Sequence, residues 1–194
     1  MKIKRLLLIG ITISLLVVAG IYLVVLPSLV HSLPTSVTPQ QVIKASDKAF
    51  GGKWSINIGI SGNTTVLQHG TEKVTYLNNR TATQPCSFYP QAMISQEYFL
   101  IYNSTKPLDG GYFRIYEFNN SFYAENFFNK ELNTTMPVSY KANFTLGKIK
   151  GEVISFANSN ITLGIAIYGK YVYLLYMYYF TFNDNQFITF INSL

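Results

Sequence analysis

The sequence predicts an α+β protein: an N-terminal transmembrane helix, then a mainly antiparallel β-sheet domain with a few packed helices. An all-β sandwich is the alternative. Three observations lead there. Seven short runs alternate apolar with polar residues or are apolar throughout, as strands do. Three stretches carry helix start signals, an opening proline or an Asn/Ser cap. A segment of 25 residues, Leu6–Val30, contains no charge at all. Regular β-α alternation is missing, which argues against a parallel doubly wound sheet.

The first element is the uncharged run LLLIGITISLLVVAGIYLVVLPSLV behind the flank MKIKR. About 20 apolar residues cross a bilayer as a helix, so Leu6 to Val30 reads as a signal-anchor. A cleavable leader has a shorter apolar core of roughly 7–15 residues. Cutting after Val17-Val18-Ala19 would leave GIYLVVLPSLV as an apolar new terminus, which favours an uncut anchor. Lys2, Lys4 and Arg5 precede the segment, and no Lys or Arg follows it until Lys44. Positive flanks stay in the cytoplasm, so residues 1–5 are expected inside and the rest beyond the membrane outside. The alternative location is secreted or vesicle-associated.

Residues 31–38 read as a short polar linker, and 39–194 as the extracellular domain. Pro39 opens a helix, QQVIKASDKAF, which Gly51-Gly52 stops. WSINIGI alternates and reads as a strand. Further strands are expected at Glu72–Leu77, Glu97–Tyr102, Tyr112–Phe118, Lys148–Phe156, Thr162–Tyr168 and Tyr171–Phe182. A helix fits Ser121–Leu132, capped by Asn120 or Ser121, with Phe128 and Leu132 on one face. A last short helix runs from Asp184, capped by Asn183.

YVYLLYMYYFTF, Tyr171–Phe182, reads as a central strand covered on both faces. Its Tyr171, Tyr173 and Tyr179 set is amphipathic and also suits sugar or partner binding. Membrane insertion of 161–182 would place Lys170 near the bilayer centre at a cost of about 2.5–3.5 kcal/mol. Gly169-Lys170 therefore reads as a hairpin turn.

Seven Asn-x-[Ser/Thr] acceptors occur, at Asn63, Asn79, Asn103, Asn119, Asn133, Asn143 and Asn160, none with proline in the middle. Chance would place roughly three in a chain of this composition. On the map above all seven fall in connections or at element ends, where a glycan is tolerated. The expected domain is therefore a glycoprotein.

Composition limits the rest. Apolar residues make up 48% and aromatic ones 15%, led by 15 Tyr and 14 Phe, so a proper core can form. The net charge of +6 falls to +3 from residue 31 onward, with no basic stripe, which argues against nucleic acid. Cys86 stands alone, so no internal disulfide forms, and it reads as a small packed residue. His31 and His69 are too few for a three-histidine metal site. GISGN, Gly59–Asn63, resembles a nucleophile elbow but its second glycine comes one residue early. Glu97, Glu117 and Glu125 are the carboxylates a glycoside hydrolase would draw on. No catalytic motif is present, and neither cofactor nor metal is expected.

Only 12% of residues are charged. Below about pH 4 most Asp and Glu are neutral, so a domain facing acid gains little from ion pairs. With the KIKR flank, the long uncharged segment and the dense Asn-x-Thr sites, the chain resembles surface and secreted proteins of thermoacidophilic archaea. Within that group it is similar in size and organisation to the sulfolobicins, membrane-associated antimicrobial proteins. That resemblance implies killing of related strains; it carries over no residue roles. The leading expectation is a membrane-anchored extracellular glycoprotein that binds a surface protein or glycan, or serves as structure. A secreted or vesicle-associated antimicrobial protein comes second, and an extracellular hydrolase last. Nothing in the chain sets an oligomeric state.

Overall fold

A computed structural model describes residues 32–67, 70–85 and 90–194. The expected cytoplasmic flank, anchor, His31, His69 and Cys86 lie outside the described residues. Among the described residues no helix is long and apolar enough to cross a membrane.

The described chain is dominated by one antiparallel sheet. Its strands are β1 (Trp54–Ile56), β2 (Gly62–Val66), β3 (Thr71–Tyr76), β4 (Thr81–Pro85), β5 (Met93–Asn103), β6 (Gly110–Phe118), β7 (Val138–Leu146), β8 (Ile149–Phe156), β9 (Ile161–Tyr168) and β10 (Tyr171–Tyr178). The order across the sheet is β4-β3-β2-β5-β6-β10-β9-β8-β7, with β1 pairing the end of β5 beyond β2. Three short helices complete it: α1 (Pro39–Phe50), α2 (Ser121–Leu132) and α3 (Asp184–Ile191).

This corrects the expected fold class. The α+β architecture with an N-terminal transmembrane helix is replaced, over the described residues, by a β-dominated fold of ten antiparallel strands and three short helices. The sandwich alternative fails too, because every strand belongs to the same sheet and helices cover it. The shift comes from three strands that apolar alternation does not mark. β2 (GNTTV), β4 (TATQP) and β7 (VSYKANFTL) are rich in Thr, Asn and Lys; β4 and β7 are largely exposed, and β2 alternates buried Gly62 and Thr64 with exposed Asn63 and Thr65. WSINIGI, by contrast, is a strand only to Ile56, and Ile58 and Ile60 are exposed.

The helices form where the caps direct. Thr38 and Gln41 make a reciprocal capping box with Pro39 in the first turn, and Gly51 ends α1 at φ 70°. Asn120 caps α2, its side chain accepting from the Tyr123 N–H. Asn183 and Gln186 repeat the capping box at α3.

Two cores result, one on each face. On the first, α1 and α3 cover Phe99, Phe113, Ile115, Val153, Tyr173 and Leu175. Phe187 of α3 sits over Gly164, where an added Cβ would come within 2.7 Å of the ring. On the second, α2 packs Ala124, Phe127 and Phe128 against Phe118, Ile154, Leu163 and Ile165. The alternation of β6 serves both faces, since neighbouring side chains point to opposite sides. Gly169 at φ 58° turns β9 into β10, making the expected hairpin at Gly169-Lys170.

The stretch expected as a linker joins the fold from Leu33 on. Leu33 and Val37 are buried. Tyr173 donates its hydroxyl to the Pro34 carbonyl at 2.9 Å, and Glu97 accepts from Ser36 and from the Val37 N–H.

Candidate ligand-binding site

β6 reads GGYFRIYEF, and its outward alternate residues on the second face are Tyr112, Arg114 and Tyr116. An arginine in the middle of a strand otherwise fit for a core needs compensation for burial. Here aromatic rings supply part of it. The guanidinium lies 4.8 Å from the centre of the Tyr98 ring, the cross-strand neighbour on β5, and 4.6 Å from that of Tyr112. Such contacts contribute about 0.5–2 kcal/mol. Nη1 donates to the Tyr116 hydroxyl at 2.9 Å.

The rings form a ladder across three strands. Tyr112 and Tyr176, opposed in register on β6 and β10, stack with centres 5.2 Å apart and planes 2° apart. Tyr98 lies 6.0 Å from Tyr112 on one side, and Tyr178 lies 5.2 Å from Tyr176 on the other. Burial raises the Tyr112, Tyr116 and Tyr176 hydroxyls above the usual phenol range, so they are neutral donors and acceptors.

Between this strip and α2 a cavity of about 540 Å³ opens, within the range of small-molecule sites. Helical spacing brings Tyr123, Asn126, Phe127, Lys130 and Glu131 to it, and Leu174 of β10 contributes to its wall. Burial lifts the Glu131 carboxyl above the ordinary range, against the pull of Lys130 and Arg114. Among the described residues no carboxylate lies within ion-pair distance of Arg114, and its Nε is buried with no acceptor. Among the described residues its lining holds one carboxyl, not the facing pair that glycoside hydrolysis needs.

The carboxylates singled out from sequence lie elsewhere. Glu97 accepts from Ser36 and the Val37 N–H just ahead of α1, Glu117 pairs with Lys170 at 2.7 Å and accepts from Ser95, and Glu125 is exposed on α2. Ser61 of the GISGN stretch is buried, its hydroxyl accepting from the Leu100 N–H, which makes it a structural residue. Of the C-terminal tyrosines, Tyr173 is buried and Tyr179 is exposed beyond β10. The ladder uses the other alternating set, Tyr176 and Tyr178.

Of the seven acceptors, Asn79, Asn119, Asn133 and Asn160 are exposed in turns or at a helix end. Asn63 and Asn143 are exposed but lie within β2 and β7, not in connections. Asn103 ends β5 and is 6% exposed. Its Oδ1 accepts from the Thr105 and Lys106 N–H groups, and a Cβ on Gly52 would be 3.1 Å from its Nδ2. The seven do not converge.

Arg114, Glu131 and their neighbours escaped the reading of the sequence. The signal was present in YFRIY: tyrosines at both second neighbours of a lone arginine put all three on one face. What hid it was that α2, which completes the cavity, shows only its core face in its apolar pattern. Compared with protein families, curated proteins and solved structures, the chain matches none.

Proposed function

We propose that the chain is a cell-surface binding protein. Residues 6–30 hold it in the membrane with Lys2, Lys4 and Arg5 on the cytoplasmic side. The sheet domain works outside as a glycoprotein and takes a ligand in the Arg114 cavity. The observation that carries the binding role is the cavity itself: a concave site where phenol, amide and charged groups converge on an arginine that has no ion-pair partner among the described residues. Exposed acceptors at Asn63, Asn79, Asn119, Asn133, Asn143 and Asn160 support the outside location, since each has room for a sugar. Asn103 is the exception and stays unmodified in the folded domain.

The test combines topology and binding on the full-length protein. External protease applied to intact cells should remove the domain; protection would overturn the location. Detergent-solubilised protein should bind members of a panel of neutral and acidic small saccharides by calorimetry. Asn126→Trp, which fills the cavity from an exposed helix position, should abolish that binding. Binding untouched by the blocking substitution would remove the cavity from the function.

A further inference from the structure

We propose that the Arg114 cavity recognises an acidic saccharide of one or two units, with Arg114 holding the carboxylate or sulfate. This rests on the cavity being a binding site and adds the class of its ligand.

The guanidinium is prepared for an anion. Tyr98 and Tyr112 lie against it, and Tyr116 takes one N–H, so the group is fixed in direction before a ligand arrives. A planar fork held in this way suits bidentate pairing with a carboxylate or sulfate. Among the described residues no protein carboxylate completes that pairing. The lining carries two cations, Arg114 and Lys130, against one carboxyl, Glu131. A buried positive group left without its counter-charge is costly, and a ligand anion relieves that cost.

The remainder of the lining sets the neutral part of the ligand. Tyr123 and Asn126 offer hydrogen bonds to hydroxyls, while Phe127 and Leu174 provide apolar wall for C–H faces. Hydroxyls and C–H faces on one small ring system describe a sugar. The volume of about 540 Å³ matches one or two rings. A nucleic-acid strand would bring a phosphate with each nucleotide and need a row of cations, which two residues do not make.

Glu131 gives the site a dependence on pH. Facing it are Lys130 on its own helix, Arg114 and Tyr116 from β6, and Tyr176 from β10. As pH falls through its raised value the lining loses its one negative charge, so a sulfate ester, which stays ionised, is held more tightly. A uronate gains similarly until it protonates.

The experiment titrates full-length protein in detergent with three disaccharides: cellobiose, cellobiouronic acid and cellobiose 6-sulfate. At least one acidic sugar should bind more tightly than cellobiose by about 10-fold or more, the scale of a charge-assisted pair. The two acidic arms show whether carboxylate or sulfate is the better anion. Arg114→Met should erase the preference. Glu131→Gln, a mild change at a half-buried rim position, should tighten the acidic sugar at neutral pH by several-fold and flatten its pH profile. Cellobiose binding as well as both acids, with Asn126→Trp blocking it, would overturn the ligand class and leave the binding role standing. Binding of none of the three to wild-type protein would overturn the saccharide ligand. An acid preference that survives Arg114→Met, or a pH profile unchanged by Glu131→Gln, would also sink the assignment.

Discussion

The two faces of the sheet are built from the same strands and finished differently. The first is closed by two helices, and its aromatic side chains interlock. Phe50 meets Trp54, Phe180, Phe182 and Phe190 with ring centres 5.4–5.8 Å apart, and Phe113 meets Phe190 edge-on at 5.0 Å. The second is covered by one helix, which seals β8 to β10 and leaves a strip over β5, β6 and β10 where Tyr98, Tyr112, Arg114 and Tyr176 stand. β6 feeds both: Phe113 and Ile115 are buried on one side, while Tyr112 and Arg114 are half-exposed on the other. The lesson is a division of labour within a single strand. The closed face is packed along its length, while the half-closed face sets a second buried core beside an open strip, the part on which the proposed recognition rests.

The contrast is broken most forcefully by truncating the closed face. Phe190→Ala removes a fully buried ring and should cost about 3–5 kcal/mol in denaturant unfolding, the usual range for such a cavity. Any loss of ligand affinity should then follow only from loss of folded protein.

Arg114→Met makes the opposite test. It removes the polar anchor of the open face while roughly keeping its volume, and deletes a half-buried charge that has no ion pair among the described residues. Stability should move by less than about 1 kcal/mol, because the relieved desolvation offsets the lost ring and hydroxyl contacts. A loss as large as that of Phe190→Ala would assign Arg114 to the core.

Acid sharpens the comparison further. Burial raises the Glu97 and Glu131 carboxyls, so each contributes stability that is complete below its unfolded value and lost as pH rises through its folded one. Glu117 is held low by the hydrogen bond from Lys170, so its contribution is present above the unfolded value near 4.5 and lost as pH falls through the folded one. The unfolding midpoint should therefore rise modestly as pH falls toward the ordinary glutamate value near 4.5, and Glu131→Gln should diminish that rise. Below pH 4.5 the loss at Glu117 sets in.

The smallest effects belong to the surface. Single Asn→Gln changes at Asn119 or Asn160 should leave stability within about 0.5 kcal/mol, as exposed substitutions usually do. In the mature protein each should lower the intact mass by one glycan. Asn103→Gln should leave the mass of the coat unchanged and destabilise by about 1–3 kcal/mol, because the Thr105 and Lys106 N–H groups lose their acceptor.

Legibility in the sequence followed the same division. α1, α2 and α3 were readable because their boundary residues are local signals: Pro39 and Gly51 bound α1, and Asn120 and Asn183 cap α2 and α3. β9 and β10 were readable because strands buried on both faces are largely apolar, and β8 because Ile149, Val153, Ile154 and Phe156 outweigh its Lys150, Glu152 and Ser155. β2, β4 and β7 were not, since the side chains of β4 and β7 mostly face water, the buried positions of β2 are Gly62 and Thr64 rather than apolar residues, and backbone pairing to β3, β5 or β8 makes them strands. That is why Asn63 and Asn143 were expected in connections. The cavity was the least legible part. Tyr112, Tyr123 and Glu131 come together only through strand order and the docking of α2, and neither has a local signature in the chain.

The position of β10 has a consequence for how the protein is made. It lies between β6 and β9, joining the β1–β6 part of the sheet to the β7–β9 meander. More than fifty residues separate the end of β6 at Phe118 from the start of β10 at Tyr171. Local hairpins such as β5-β6 and β8-β9 can zip early, but pairing at such separation must first overcome loop-closure entropy. Until Tyr171–Tyr178 emerges during synthesis, β6 and β9 each present an unpaired inner edge, the kind of surface on which chains stick to one another. The strand richest in tyrosine thus acts as the keystone of assembly, and a nascent chain must be kept from its neighbours until that strand arrives.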